Sequence, residues 1–242
     1  RQRKATQDAG ALAGLDVVRI INEPTSAALA YDAGHPENHT LLVYDLGGGT
    51  FDVSLGVVEN GVVEVKASHG DTKLGGDDFD QLLINHILQI FKENHGVDLN
   101  EDLRARRRLL VSAEKAKRDL SDAPFARIRE EYIYNDLHLD VEISREDYEE
   151  MIMPLLQKTL QCIQMCLKDS SLLPKDIDKV ILVGGATRTP LVHKIIKQEI
   201  GLDPHYEISP DLIFYMGAAI QGGIIAGDKT HYILVDINPY TF

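Results

Sequence analysis

Three consecutive glycines stand between two acidic residues in the segment Asp45-Leu46-Gly47-Gly48-Gly49-Thr50-Phe51-Asp52. One glycine is enough for a hairpin turn, whereas successive backbone N–H groups can surround phosphate oxygens, and the missing Cβ atoms let a ligand approach closely. The segment is not a Walker loop or a dinucleotide fingerprint, because no Gly-Lys-Ser/Thr follows and the next residues indicate a strand. It predicts a phosphate-binding turn, with a ligand-free bulged hairpin as the alternative.

The two carboxylates beside the glycines suggest a metal ion. Asp45 and Asp52 would repel a bound phosphate unless a cation lay between them. Mg²⁺ prefers oxygen ligands, keeps several waters and is commonly held by one or two carboxylates together with nucleotide phosphates. Thr50 adds a hydroxyl that could orient a water. The alternative is that both aspartates only stabilise a turn.

A second glycine site, Gly184-Gly185, ends an apolar strand and is followed by Arg188. Ligands in α/β sheets usually bind at the carboxyl ends of strands, where a turn leads into a helix. Arg188 could stack on a base there. A glycine pair that serves only packing remains open.

Charged side chains recur on one face of a predicted helix at positions i, i+3, i+4 and i+7: Glu114, Lys117, Arg118 and Ser121. Such a face can contact a polar ligand. Solvated ion pairing explains the same spacing equally well.

Strand and helix patterns alternate along the chain without segregating, which favours an α/β fold. Apolar runs predict strands at 17–21, 41–46, 51–59, 62–68, 132–143 and 179–183. Asn60-Gly61 predicts a type I′ hairpin turn. Thr25 or Ser26 is expected to cap the helix that follows the first strand, and Asp77 and Asp80 are expected to open another helix. Ser144 and Asp147 resemble a capping box for a long later helix, which Pro154 is expected to kink. Ser209 and Pro210 are expected to start the last helix, whose small residues leave room for close backbone packing: Gly217, Ala218, Ala219, Gly222 and Gly223.

The composition narrows the function classes. The chain has 242 residues, 44% of them hydrophobic, and a net charge of −13, which disfavours nucleic acid as a partner. No apolar run reaches the length of a membrane span, so no membrane partner is expected. The two cysteines, Cys162 and Cys166, lack metal-ligand neighbours and suit a reduced cytoplasmic location. The chain lacks an initiator Met, and we expect it to begin within a longer protein.

Five segments together resemble the actin-like ATPase domain of the seventy-kilodalton heat-shock chaperones, the DnaK type. They occur in the family's order and spacing over nearly the whole chain: 20–28, 45–52, 70–76, 114–121 and 182–185. The resemblance implies an actin-like, ribonuclease H-like fold, with a mixed sheet flanked by helices and a smaller α+β upper subdomain. It also implies ATP or ADP with Mg²⁺ as ligands.

The resemblance assigns roles residue by residue. Asp45 and Glu23 would hold the water shell of magnesium, and Glu23, Thr50 and Asp52 would act near the attacking water. The residues it places around the nucleotide are Gly47, Gly48, Gly49, Thr50, Gly76, Glu114, Lys117, Arg118, Ser121, Gly184, Gly185, Arg188 and Asp211.

Three departures from the family pattern affect these expectations. The family's first phosphate hairpin, one magnesium-coordinating Asp and a phosphate-contacting Lys precede the matched stretch, so this stretch alone is not expected to turn over appreciably. Ala186 replaces the usual Ser after the glycine pair and removes a hydroxyl. Residues 209–217 diverge from the family sequence, although Asp211 is retained.

The resemblance divides the chain into parts. Residues 1–34 would be a remnant of a first lobe, 35–74 and 151–226 the lower subdomain of the second lobe, 75–150 its upper subdomain, and 227–242 an interdomain linker with the start of a substrate-binding domain. Implied partners are client peptides, bound by a domain outside this chain, a J-domain co-chaperone and a nucleotide exchange factor. Exposed first-lobe faces would favour self-association. The alternatives are a non-catalytic interaction lobe and a sugar kinase.

Overall fold

The computed structural model describes residues 2–33, 37–204, 212–228 and 233–235. Its helices are α1 (Gln2–Leu12), α2 (Glu23–Asp32), α3 (Gly76–His95), α4 (Leu103–Asp122), α5 (Arg145–Ser170), α6 (Pro190–Ile200) and α7 (Ile213–Ala226). Its strands are β1 (His39–Leu46), β2 (Phe51–Glu59), β3 (Val62–Asp71), β4 (Phe125–Tyr134), β5 (Leu137–Ser144), β6 (Lys179–Val183) and β7 (Ile233–Val235). Within these ranges no helix combines the length and apolarity that crossing a bilayer requires.

The main sheet has the strand order β6-β1-β2-β3-β7. Strands β1, β2 and β3 are antiparallel neighbours, whereas β6 runs parallel to β1 and β7 runs parallel to β3. Successive residues of a strand face opposite sides, so Leu42 and Tyr44 join the apolar cluster with α3 and α5, while Leu41 and Val43 join the cluster with α2 and α7. This is the mixed sheet flanked by helices that was expected.

A smaller α+β unit is built from α3, α4 and the β4–β5 hairpin. Arg145, the first residue of α5, fastens this unit to the lower part: its guanidinium donates to the carbonyl oxygens of Leu120, Ser121 and Ala123 at 2.7–3.2 Å. Charged donors make the stronger class of hydrogen bond, so three of them fix the end of α4. The exact subdomain boundaries stay a prediction.

Helices α2 and α7 cross at unusually short range. The Ser26 hydroxyl donates to the Phe214 carbonyl at 2.7 Å, and a Cβ added at Gly217 would lie 1.9 Å from the Ser26 carbonyl oxygen. Only glycine allows that approach. Gly217 therefore serves close backbone packing, as expected, whereas a Cβ added at Gly222 would meet no described atom within 4 Å.

Most predicted turns and helix ends are confirmed. Asn60 and Gly61 both have positive φ, 50° and 78°, as a type I′ turn requires. The Ser144 hydroxyl accepts from the Asp147 N–H at 3.0 Å and begins α5. Helix α5 runs continuously through Pro154, and the kink expected there stays a prediction. The predicted helix start at 209–210 lies outside the described residues.

Two local predictions are wrong. Residues 17–21 form no strand, because no other described segment pairs with them; an apolar run becomes a strand only when a neighbour accepts its hydrogen bonds. Neither Thr25 nor Ser26 caps α2. The N-cap is Asn22, without a side-chain cap bond, and Pro24 falls in the first turn, where its missing N–H is tolerated.

Candidate nucleotide site

The three glycines form the tip of the β1–β2 hairpin. Asp45 pairs with Asp52 across the two strands, and the Gly47 N–H donates to the Thr50 carbonyl at 3.0 Å to close the loop. The last residue pair of the two strands, Leu46 and Phe51, is buried. The loop residues beyond it are exposed: Gly48, Gly49 and Thr50. The loop is therefore a rigid turn whose tip is open to a ligand.

The start of α3 fixes the orientation of this loop. The N–H groups of Gly76 and Asp77 donate to the carbonyl oxygens of Gly47 and Gly48 at 2.9 and 2.7 Å. In a trans peptide the C=O and the following N–H point in opposite directions. With both carbonyls bound to α3, the N–H groups of Gly48 and Gly49 point away from it, toward the same side. Two adjacent donors with a common direction can bind an anion.

Gly75 makes this contact sterically possible. A Cβ at Gly75 would lie 2.2 Å from the Gly48 carbonyl oxygen and 2.6 Å from the Gly49 nitrogen. Gly75 was not among the predicted site residues. The signal for it was the Gly75-Gly76 pair at the start of a predicted helix, where one glycine would have been enough for a turn.

The second glycine site lies beside the first. β6 runs parallel to β1 with Val183 opposite Asp45, so Gly184 emerges next to Leu46. Gly184 has φ 87°, and a Cβ there would lie 2.3 Å from the Leu46 carbonyl oxygen. Gly185 is exposed and begins the 3₁₀ turn that ends at Arg188, which is also exposed. The structure thus brings both predicted glycine motifs to one edge of the sheet.

Ala186 packs against the base of α3. It is buried, and its Cβ lies 3.4 Å from the position that a Cβ of Gly76 would take. A small residue therefore fits this position, although the hydroxyl of the family's Ser is absent.

The four polar side chains predicted on one face of α4 make different kinds of contact. Lys117 reaches across to α3, where its Nζ donates to the Gly76 carbonyl at 3.0 Å and to Asp80 at 2.7 Å. Arg118 and Glu114 instead form an i,i+4 ion pair of 2.5 Å with exposed side chains, as the solvated alternative predicted. Ser121 donates back to the Lys117 carbonyl at 3.4 Å. Only Lys117 is held against the glycine motifs.

Three carboxylates near the base of the loop, those of Asp45, Asp52 and Glu23, interact electrostatically. Burial raises the pKa of Asp45 to about 7, with further increases from the charges of Glu23 and Asp52. Partial burial and Glu23 raise the pKa of Asp52 to about 6. Glu23, the first residue of α2, therefore acts on both aspartates. A cation would relieve this repulsion.

The donor set fits a hydrated magnesium ion rather than a directly ligated one. Throughout the described ranges, no three acidic, histidine or cysteine side chains converge closely enough to hold a metal. Mg²⁺ often keeps its waters and contacts carboxylates through them. Asp45 and Glu23 suit that arrangement. Asp211, the remaining predicted site residue, lies outside the described residues.

Comparison with known proteins gives the family. A family model described as Hsp70 protein matches residues 1–242. The chain belongs to the Hsp70 family. It is 46% identical over 242 residues to "Chaperone protein DnaK" of Prochlorococcus marinus (strain MIT 9515), an alignment that covers 98% of this chain and 38% of that relative. The chain therefore spans well under half the length of this curated Hsp70 relative.

Membership of the Hsp70 family confirms the resemblance read from the five segments. The Hsp70 ATPase domain has an actin-like fold, and the mixed sheet with helices on both faces agrees with it. Hsp70 nucleotide-binding domains bind ATP and ADP.

Proposed function

We propose that this chain is the second lobe of an Hsp70-type ATPase domain and holds Mg-ATP or Mg-ADP at the edge of its main sheet. The observation that carries the proposal is the loop held by α3, whose carbonyls are bound at 2.9 and 2.7 Å so that the N–H groups of Gly48 and Gly49 face the opposite side. Phosphate oxygens are the natural ligand for such donors.

The other residues around the loop have separate roles in metal binding and in positioning water. Asp45 and Glu23 would hold the waters of Mg²⁺, and the ion would supply charge neutralisation for the phosphates. Thr50 and Asp52 position the attacking water, and the carboxylate of Asp52, with its pKa raised to about 6, can accept a proton from that water near neutral pH. Phosphoryl transfer depends mainly on such positioning and charge stabilisation.

The nucleoside occupies the side of the loop that faces α4 and β6. The residues proposed to contact it are Gly76, Glu114, Lys117, Arg118, Ser121, Gly184, Gly185, Arg188 and Asp211. Gly185 supports this assignment, because no protein atom of the described residues lies within 4 Å of a Cβ added there. A nucleoside could use that space.

The wider chaperone function follows by analogy with the family. We infer that nucleotide state is coupled to client-peptide binding through residues 227–242, and that a J-domain co-chaperone and an exchange factor act on this lobe in the cytoplasm. Strand β7 supports the coupling, since Ile233 donates to the Gly61 carbonyl at 2.9 Å and adds a strand to the sheet.

The N-terminal segment supports the proposal of self-association in this chain taken alone. Leu12, Leu15 and Val18 are 90%, 65% and 68% exposed. Large apolar side chains at such exposure favour burial against a partner surface. A monodisperse monomer in light scattering, with residues 2–21 protected from proteolysis, would contradict it.

A non-catalytic interaction lobe remains the second candidate. Exposed apolar side chains on the small α+β unit favour it: Leu103, Val111 and Phe125 are 81%, 68% and 57% exposed. A sugar kinase is not favoured, because the matched family is Hsp70.

Calorimetric titration with Mg-ADP tests the nucleotide site. Arg188→Ala should weaken binding, since it removes the exposed cation beside Gly185. Arg127→Ala is the matched control: Arg127 is also an exposed arginine, and it lies on the β4–β5 hairpin rather than beside the glycine motifs, paired with Asp140 at 2.6 Å. Binding that is unaffected by Arg188→Ala, or equally affected by both variants, contradicts the proposed pocket. No binding at all leaves the interaction lobe as the better candidate.

Hydrolysis by this chain alone is a separate test. The first-lobe groups that would enclose the terminal phosphate are not among its residues, so we expect no appreciable turnover. Magnesium-dependent ATP hydrolysis by the 242-residue chain, abolished by Asp45→Ala, would overturn that expectation.

A further inference from the structure

A buried ion pair joins α3 to α4 directly beneath the glycine motifs. Lys117 Nζ lies 2.7 Å from Asp80 Oδ2, and the two side chains are only 14% and 4% exposed. The other carboxylate oxygen, Asp80 Oδ1, is buried and has no hydrogen-bond partner in the described part of the chain. Asp80 was not among the site residues predicted from the sequence, because its partner lies 37 positions away.

Stability does not explain why a carboxylate stands here. Removing a charge pair from water is unfavourable, and apolar replacements of such pairs are often neutral or stabilising. The unpartnered Oδ1 adds the penalty of an unsatisfied buried acceptor. Burial raises the pKa of Asp80, the charges of Glu114 and Asp77 add to the increase, and Lys117 opposes it. The ionised form of Asp80 thus depends on Lys117.

The contacts of Lys117 place it at the anchor of the glycine loop. An ammonium group has three donors, and two are used on the Gly76 carbonyl and on Asp80. Gly76 is also the residue whose N–H holds the Gly47 carbonyl at 2.9 Å. Gly76 therefore holds the glycine loop through its N–H and the Lys117 ammonium through its carbonyl oxygen. Among the described residues, Lys117 has no third acceptor, so one of its N–H groups is left for a ligand.

We propose that Asp80 is a positioning residue for the nucleotide: it fixes the Lys117 ammonium beside the glycine loop so that its remaining N–H meets the bound nucleotide. This inference rests on the proposed function. Lysine has a long side chain that loses much rotamer freedom when it is held in one place. Because Asp80 already holds the Lys117 side chain in the folded protein, this entropy is lost on folding. Nucleotide binding therefore does not have to restrict the Lys117 side chain again. Asp80 itself does not touch the ligand.

A double-mutant cycle in the full-length protein tests this role, with calorimetric affinity for Mg-ADP as the readout. Asp80→Asn and Lys117→Met should each weaken binding about tenfold or more, the change expected for one lost charge-assisted hydrogen bond. The variant that combines both changes should bind as Lys117→Met does, because Asp80 acts only through Lys117. Asp98→Asn is the matched control. Asp98 pairs with Lys92 at the same 2.7 Å distance, but at the far end of α3 and in solvent.

A second measurement separates positioning from general support of the fold. The ammonium protons of Lys117, observed by NMR, should exchange slowly in the ligand-free protein and rapidly in Asp80→Asn. Urea unfolding should show stability recovering in the double variant, which leaves no unpaired buried charge, while nucleotide affinity stays low. An affinity that recovers together with stability would refute a positioning role.

The remaining outcomes each decide one question. If Lys117→Met binds Mg-ADP normally, the proposed nucleotide pocket is wrong at this position. If Lys117→Met weakens binding but Asp80→Asn does not, or if the two effects add, the pocket stands and the role of Asp80 is wrong. Should Asp80→Asn fail to fold, Asp80→Glu replaces it. That variant keeps the charge but moves it by one methylene, and unchanged affinity there also overturns the inference.

Discussion

Replacement of Gly75 by alanine should displace the glycine loop from the start of α3. The Cβ introduced by Gly75→Ala would lie 2.2 Å from the Gly48 carbonyl oxygen, 2.4 Å from its carbon and 2.6 Å from the Gly49 nitrogen. All three are backbone atoms, so no side-chain rotation relieves the overlap. Ordinary contact begins near 3.4 Å. The loop and the start of α3 must therefore separate by about 1 Å to restore normal van der Waals distances.

That separation breaks the two hydrogen bonds that orient the loop. The bonds from Gly76 to Gly47 and from Asp77 to Gly48 are 2.9 and 2.7 Å long and would stretch to nearly 4 Å. At about 1 kcal/mol for each bond, the free energy of unfolding should fall by about 2 kcal/mol. The displaced N–H groups of Gly48 and Gly49 should also lose their hydrogen bonds to phosphate. A hydrogen bond to a charged group is worth about 1.5–3 kcal/mol, so affinity for Mg-ADP should fall at least about tenfold.

Urea unfolding and Mg-ADP calorimetry on the full-length protein measure both effects. Gly222→Ala is the control, because a Cβ there meets no described atom within 4 Å. Alanine within a helix is favoured over glycine, so this variant should be as stable or more stable and should bind normally. If Gly75→Ala unfolds and binds like the unsubstituted protein, the reasoning that ties the loop to α3 is refuted.

Three further predictions follow from the same structure. Gly217→Ala should lower the free energy of unfolding by about 2 kcal/mol or more in urea titrations, because its Cβ would lie 1.9 Å from the Ser26 carbonyl oxygen; stability equal to that of Gly222→Ala would contradict the close helix crossing. Gly185→Ala should leave unfolding unchanged within about 0.5 kcal/mol yet weaken Mg-ADP binding, since the space at Gly185 is free of protein atoms. Asp45 has its pKa raised from 3.8 to about 7, so the folded state holds that proton between these values while the unfolded chain releases it. Its stabilising contribution is complete below the lower value and is lost as pH rises to the upper one. Without Mg²⁺ and nucleotide, Asp45 alone should lower stability by about 2 kcal/mol between pH 5 and pH 7.5. Asp52, whose pKa is raised to about 6, adds to the fall, so Asp45→Asn should reduce the slope in denaturation curves without abolishing it.

Local signals explain what could be predicted from the sequence. The turn at Asn60-Gly61 follows from two residues that tolerate positive φ, and the three-glycine loop follows from a motif contained in eight residues. The start of α5 follows from Ser144 and Asp147, which are three positions apart. In each case the sequence neighbours are also the structural neighbours, so composition and spacing are sufficient.

Contacts between distant segments explain what could not be predicted. The run at 17–21 has strand-forming residues, but whether it becomes a strand depends on a pairing partner, and none of the described segments provides one. Asp80 resembles any helix acid until Lys117 is placed against it. The steric need for Gly75 appears only when the loop at Gly48 is brought within van der Waals distance.

We infer that the charges at the proposed site are balanced only when nucleotide and cation are bound together. Burial raises the pKa values of Asp45 and Asp52, and the charge of Glu23 raises both further. An anion alone would add to that repulsion, and a cation alone would lack the phosphate oxygens that complete its ligand shell. On the other side of the loop, the N–H groups of Gly48 and Gly49 and the anchored ammonium of Lys117 attract an anion. In the proposed site, a carboxylate cluster next to a phosphate cradle is unfavourable for either ligand alone and favourable for the pair, so we expect the site to bind Mg-nucleotide in preference to free nucleotide or free magnesium.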